Sequence, residues 1–307
     1  MSLQFIIGSS GAGKTRLLYE NLIRQSIEEP DGRFIAIVPE QFTMQTQKEV
    51  VALHPCHGTL NIDIVSFQRL AYRIFEELGV EHLEVLDDIG KSMVLRRVVS
   101  GQKKNLGVYA GHLNQTGFIN HLKSMLSELY QYGIRPEDLR RAREEAASPL
   151  LQEKLKDLSV IYEEFQKAIA ERFITAEEIL DVLCRVLPES KLIKNSVVTL
   201  DGYTGFTPVQ YRIAELLMIR AKKVVVTVTM DPKARPFKKE GIHHLFYMGK
   251  EMVTRLNQTA ERHRTERDRD VLLDGKVRRF EESPSIAFIE SHLYRYTESA
   301  DWEPEEV

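Results

Sequence analysis

The segment "GSSGAGKT", Gly8 to Thr15, has the G-x-x-x-x-G-K-[ST] spacing of a loop that wraps phosphate oxygens. Small residues across Gly8, Ser9, Ser10, Gly11, Ala12 and Gly13 let backbone N–H groups turn inward without Cβ obstruction, and a following helix would present its positive end to the same anion. Lys14 is expected to reach the β and γ phosphates of ATP, and the Thr15 hydroxyl to ligate Mg2+. A second acidic position comes far downstream in "VVTLDG", where Asp201 closes a β-branched run and is placed to hold the Mg2+ directly or through water. The residue after it is Gly202, where many ATPases that move on nucleic acid place a glutamate that polarises the attacking water.

These positions need elements to hold them. "LQFIIG" reads as a buried strand, and "KTRLLYENLIRQSI" carries Leu17, Leu18, Leu22 and Ile23 at the spacing of one helical face. "FIAIVP" and "NIDIVSF" read as further strands, followed by a helix with Leu70, Ile74, Phe75 and Leu78 on one side. Such alternation predicts a parallel sheet covered on both faces. The rhythm then turns helical, with one stripe at Leu122, Met125, Leu126, Leu129 and Tyr130 and another at Leu151, Leu155, Leu158, Ile161, Tyr162, Phe165 and Ile169. Strand and helix alternation resumes with "NSVVTLDGY", "TPVQYRIAELLMIRA" and "KKVVVTVTMD".

The expected organisation is an α/β core over residues 1–84 and 193–240, a helical insertion over 85–192, and a helical and charged extension over 241–307. The final "ESADWEPEEV" is acidic, has no element to close it, and reads as the cut edge of a longer chain, the alternative being a natural flexible terminus.

Composition narrows the classes. With 307 residues and 43% apolar content the chain can bury a sizeable core. Its net charge of −3 gives no global attraction to nucleic acid, so any such contact must rest on local patches. No apolar run is long enough for a membrane span and no secretion signal is visible, so a cytoplasmic place is expected. Cys56 and Cys184 form no CxxC pair and suit a reducing compartment. "HPCHG" at 54–58 lacks the second ligand pair of a metal finger and reads as a turn.

The motifs in order resemble superfamily 1 DNA helicases of the UvrD and RecB type: a phosphate loop, a strand leading to "VSFQRLAYRI" at Val65–Ile74, a helical insertion, and "LDGYTGFTPVQ" at Leu200–Gln210. With "IVPEQFTMQTQKEV" included, the set more specifically resembles the N-terminal region of the AddB family, the B subunits of bacterial AddAB helicase–nucleases. That resemblance implies a RecA-like P-loop NTPase fold of the superfamily 1 helicase type. It implies a role in processing double-strand DNA breaks for recombinational repair, with an AddA-type helicase–nuclease subunit as partner and DNA ends and single-stranded DNA as substrates. The family's nuclease and iron–sulfur cluster belong to a C-terminal region, so neither is expected on these residues.

Departures from active helicases are informative. Only four residues precede "FIIG", which leaves no room for the adenine-reading Gln motif. Gly202 removes the usual carboxylate, and "MDPKARP" stands where a γ-phosphate-sensing Gln is found. Arginines that complete such pockets normally come from a second domain. Nucleotide binding with weak or absent hydrolysis is therefore expected, the alternative being a DNA-docking or subunit scaffold whose P-loop is vestigial. A small-molecule kinase is a third class, against which the size of the insertion argues.

For DNA contact, the resemblance suggests "PEQFTMQTQ" and "SFQRLAYR". Phe42, Phe67 and Tyr72 would stack on bases, Thr43 would lie on the same face, and Arg69 and Arg73 would meet phosphate. Against this, Leu70, Ile74 and Phe75 of the same helix are core positions, which leaves Phe67 open to a core role too. Lys233, Arg235, Lys238 and Lys239 form an alternative phosphate patch or a solvated loop.

Overall fold

A computed structural model describes residues 1–59, 61–80, 84–113, 115, 117–170, 173–175, 178–231, 236–238, 241–273 and 278–294. Contacts divide the chain into two compact units, one formed by Met1–Glu77, Leu187–Phe206 and Tyr211–Val307, the other by Leu78–Val186 and Thr207–Gln210. The long segment of the second unit, Leu78–Val186, starts and ends a few residues earlier than the expected 85–192. Glu77 shows why the return point lies in the first unit: its carboxylate accepts from Ser190 Oγ and from the backbone N–H groups of Lys191 and Leu192.

The first unit opens with β1 (Ser2–Gly8), α1 (Lys14–Glu28), β2 (Phe34–Ile37), α2 (Thr43–Leu53), β3 (Ile62–Val65) and α3 (Phe67–Leu78). All four residues of β2, "FIAI", are buried, as expected of a parallel strand covered on both faces. α1 buries Leu18, Tyr19, Leu22 and Ile23 against Ile6, Phe34 and Val225.

The second unit holds β4 (Glu84–Leu86), α4 (Asp88–Gln102), α5 (Phe118–Gln131), α6 (Pro136–Glu145), α7 (Pro149–Ile169), β5 (Phe173–Thr175) and α8 (Glu178–Val186). Leu122 and Leu126 of α5 and Leu158, Ile161, Tyr162, Phe165 and Ile169 of α7 share one core with Leu95 and Val99 of α4. Leu151, in the first turn of α7, is instead 46% exposed. Asp157, fully buried, accepts from the N–H groups of Gly107 and Tyr109 and so ties down the connection between α4 and α5. The two short strands β4 and β5 pair in parallel; at three residues each they carry no readable period.

The chain then supplies β6 (Val197–Leu200), α9 (Pro208–Arg220), β7 (Lys223–Thr229), α10 (Tyr247–Arg262), β8 (Glu266–Arg267), β9 (Val271–Leu272) and α11 (Pro284–His292). Sheet order is β3-β2-β6-β7-β1-β8, with β9 also on β1, and every pairing among the described residues is parallel. This mostly parallel α/β sheet is consistent with a RecA-like fold. β6 and β7, late in sequence, slot between β1 and β2. That insertion lines up the carboxyl ends of β1, β7 and β6, where ligands of open parallel sheets bind. The charged stretch near the C-terminus, which shows no strand pattern, nonetheless adds β8 and β9 at the free edge of β1.

Candidate functional site

Gly8 ends β1, and a Cβ there would lie 3.1 Å from Leu273 Cβ. Gly13, at φ +93°, turns the chain into α1 in a conformation that a side chain would strain. It is the N-cap residue, offers no side chain to the first turn, and that turn carries no acidic residue. The opening N–H groups of α1 therefore stand ready for an anion. The Lys14 ammonium, almost fully buried, donates to Gly8 O at 3.0 Å and Ser9 O at 2.8 Å, and the Ala12 N–H donates to Ser9 O at 3.2 Å. Burial pushes the Lys14 amine down to about 8; the Asp201 charge opposes this and Arg279 adds to it. Ser10, Gly11 and Ala12 line the adjoining cleft.

Asp201 follows β6 and is 5% exposed. Its Oδ1 accepts from Thr15 Oγ1 at 3.2 Å and Thr227 Oγ1 at 2.5 Å, and its Oδ2 accepts from Tyr19 OH at 3.0 Å. Thr15 and Asp201, paired from sequence as metal ligands, are thus neighbours. A hydroxyl that donates to the carboxylate keeps its lone pairs for a cation, and two hard oxygen ligands suit Mg2+. A polyphosphate and Mg2+ fit this donor set. Gly202 has φ +78°, and a Cβ there would meet Pro39 Cδ at 3.4 Å and Phe42 Cδ2 at 3.9 Å.

Sequence reasoning missed two contributors. Tyr19 and Thr227 are one; Tyr19 sits one helical turn after Thr15, a spacing that could have flagged it. The other is the segment after β9, where the Arg279 N–H donates to Gly11 O at 3.2 Å and Arg278 lies 3.9 Å from the position of a Cβ on Gly13. Both arginines are exposed, line the same cleft, and form no ion pair with any described residue. This segment sets Arg278 and Arg279 beside the loop, within this chain. The cleft, of about 1500 Å3, exceeds the roughly 300–1000 Å3 usual for a small-molecule pocket.

The candidate DNA residues separate. Phe67 is 4% exposed, with its ring 5.4 Å from that of Tyr203 and 6.2 Å from that of Phe206, so it is a core residue and offers no face to a base. Thr43 is buried and its hydroxyl donates to Glu40 O. Phe42 and Tyr72 are 43% and 45% exposed. Arg69 Nε pairs with Glu40 Oε1 at 2.9 Å, and Arg73 with Asp63 at 2.5 Å. Ser66 Oγ also donates to Glu40. Surface pairs of this kind are worth about 0–1 kcal/mol, so a phosphate can displace them. Lys238 is exposed, whereas Lys233, Arg235 and Lys239 lie outside the described residues. In "HPCHG" the Cys56 N–H donates to His54 Nδ1 and the His57 N–H to His54 O, forming a turn.

The family described as "ADDB, N-terminal" matches residues 5–290. Among curated proteins, the chain is 42% identical over 301 residues to the B subunit of the ATP-dependent helicase/deoxyribonuclease of Lachnoclostridium phytofermentans, covering 96% of this chain and 26% of that protein. The B subunits of the same description from Moorella thermoacetica and Bacillus cereus are 34% and 30% identical, over 96% and 95% of this chain and 26% and 25% of theirs. The chain spans about a quarter of the length of the curated relatives it matches.

Proposed function

Since the chain belongs to the ADDB, N-terminal family, we propose that it is a nucleotide-binding, helicase-like domain that holds Mg2+–ATP and hydrolyses it weakly or not at all. It would do so within the B subunit of an ATP-dependent helicase/deoxyribonuclease acting on broken DNA in the cytoplasm. The observation that carries this reading is a complete phosphate cradle and metal pair beside a backbone that lacks the water-polarising carboxylate. Gly13 and the first turn of α1 bind phosphate oxygens, Lys14 exchanges its carbonyl contacts for phosphate, and Thr15 with Asp201 hold Mg2+. The bound Mg2+ supplies charge neutralisation between phosphates. Arg278 and Arg279 close the cleft from the β9 side. At Gly202 no side chain accepts a proton from water. Among the described residues no helix is long and apolar enough to cross a membrane.

In this reading the protein meets an AddA-type partner that supplies the motor, and single-stranded DNA runs past Phe42 and Tyr72. The relatives are named as one component of an enzyme, which supports a partner. The nuclease and an iron–sulfur cluster would lie beyond these residues. Calorimetry with ATP and Mg2+ tests the reading: the chain binds, Lys14→Ala abolishes binding, and single-stranded DNA elicits little phosphate release.

One observation favours a scaffold with a vestigial loop: Lys14 is already satisfied by Gly8 O and Ser9 O. That reading requires no measurable ATP affinity and retained association with the AddA-type partner.

A further inference from the structure

The Asp201 carboxylate receives three hydroxyl donors, more than a contact with Thr15 alone would provide. A carboxylate offers about four lone-pair positions. Thr15 and Thr227 occupy those of Oδ1, and Tyr19 takes one on Oδ2. Tyr19 is 1% exposed, and its hydroxyl also lies 3.3 Å from Thr46 Oγ1 on α2, so the phenol has no room to swing away. Thr227 acts from β7, the strand lying between β1 and β6.

We propose that Tyr19 and Thr227 are positioning residues for the metal of this site: their hydroxyls clamp the Asp201 carboxylate so that one Oδ2 position faces the cation next to Thr15. The inference rests on the nucleotide-holding reading. Neither residue touches nucleotide or metal; both act through Asp201. One remaining carboxylate position suits Mg2+, which keeps several of its waters and needs few protein ligands. Loss of either hydroxyl lets the carboxylate rotate, which weakens the metal-linked share of ATP affinity and leaves the phosphate–loop share intact.

The test is the ratio of ATP dissociation constants in EDTA and in saturating Mg2+, measured by calorimetry on the 307-residue chain and on Tyr19→Phe, Thr227→Val and Asp201→Asn. Removing groups that orient metal ligands typically costs about 10- to 100-fold in metal affinity. The ratio should shrink about tenfold in Tyr19→Phe and in Thr227→Val, approaching that of Asp201→Asn, with affinity in EDTA unchanged. Circular dichroism checks folding, and if Tyr19→Phe does not fold, Thr227→Val carries the test. An unchanged ratio in a folded variant overturns the inference. So does a parallel loss with and without Mg2+, which marks a merely structural role. If the unsubstituted chain shows no Mg2+-linked affinity, the nucleotide reading itself fails and takes this inference with it.

Discussion

Thr15 Oγ1 lies 3.2 Å from Asp201 Oδ1 although 186 positions separate them in the chain. The contact exists because β6 and β7 enter the sheet between β1 and β2, so the end of the phosphate loop and the end of β6 open into one cleft. A hydroxyl and a carboxylate meeting there are hard oxygen donors of the kind Mg2+ takes.

Lys14 gives the site a pH signature. Its folded-state value is about 8 against an ordinary 10.5, so between those values the unfolded chain holds more protons than the folded one. This group therefore makes the ligand-free chain more stable as pH rises from about 8 to 10.5. Bound polyphosphate restores the charged amine, so binding takes up a proton above about pH 8. ATP affinity should fall by up to about tenfold per pH unit there. Lys14→Arg stays charged throughout, and calorimetry across that range should show a flatter profile.

Gly202→Glu should give no gain in hydrolysis. The backbone at this position has φ +78°, which strains any side chain, although the new Cβ would make only ordinary contact with Pro39 and Phe42. A left-handed non-glycine residue costs about 1–2 kcal/mol. Denaturant melts should show a loss of that order, and a phosphate-release assay no gain in turnover.

Arg278→Ala and Arg279→Ala should each weaken ATP binding without affecting folding, since both side chains are exposed at the mouth of the cleft. Hydrogen bonds to charged groups contribute about 1.5–3 kcal/mol, and partial exposure places these at the low end, a loss of roughly tenfold. Titrations with ATP and with ADP check this.

Phe42 and Phe67 should behave oppositely. Phe42→Ala should lower affinity for single-stranded DNA by about 1–3 kcal/mol, the value of one base stacked on an aromatic ring, and leave the melt unchanged. Phe67→Ala should destabilise the fold by about 3–5 kcal/mol, because its ring fills the core against Tyr203 and Phe206. Fluorescence anisotropy with an oligonucleotide, paired with thermal melts, separates the two.

The pattern of legibility follows from what is local. β1, β2, β6 and β7 are short runs rich in apolar and β-branched residues, and Gly8–Thr15 is a contiguous motif, so each could be read directly. Phe67 was readable as core as well, since Phe67, Leu70, Ala71 and Ile74 keep the spacing of one buried helical face. Tyr19 and Thr227 look like ordinary helix and strand residues until β6 sets Asp201 between them. Arg278 and Arg279 reach the loop only through β8 and β9, two-residue strands paired on one side, whose placement depends on β1 rather than on their own sequence.

Holding nucleotide without turning it over is the behaviour proposed for this domain. The most direct measurement is bound ATP and released phosphate, followed together on the 307-residue chain with Mg2+ and single-stranded DNA. Mg2+-dependent binding that Lys14→Ala abolishes, with phosphate release near background, is the expected result. DNA-stimulated phosphate release that Asp201→Asn abolishes would contradict it.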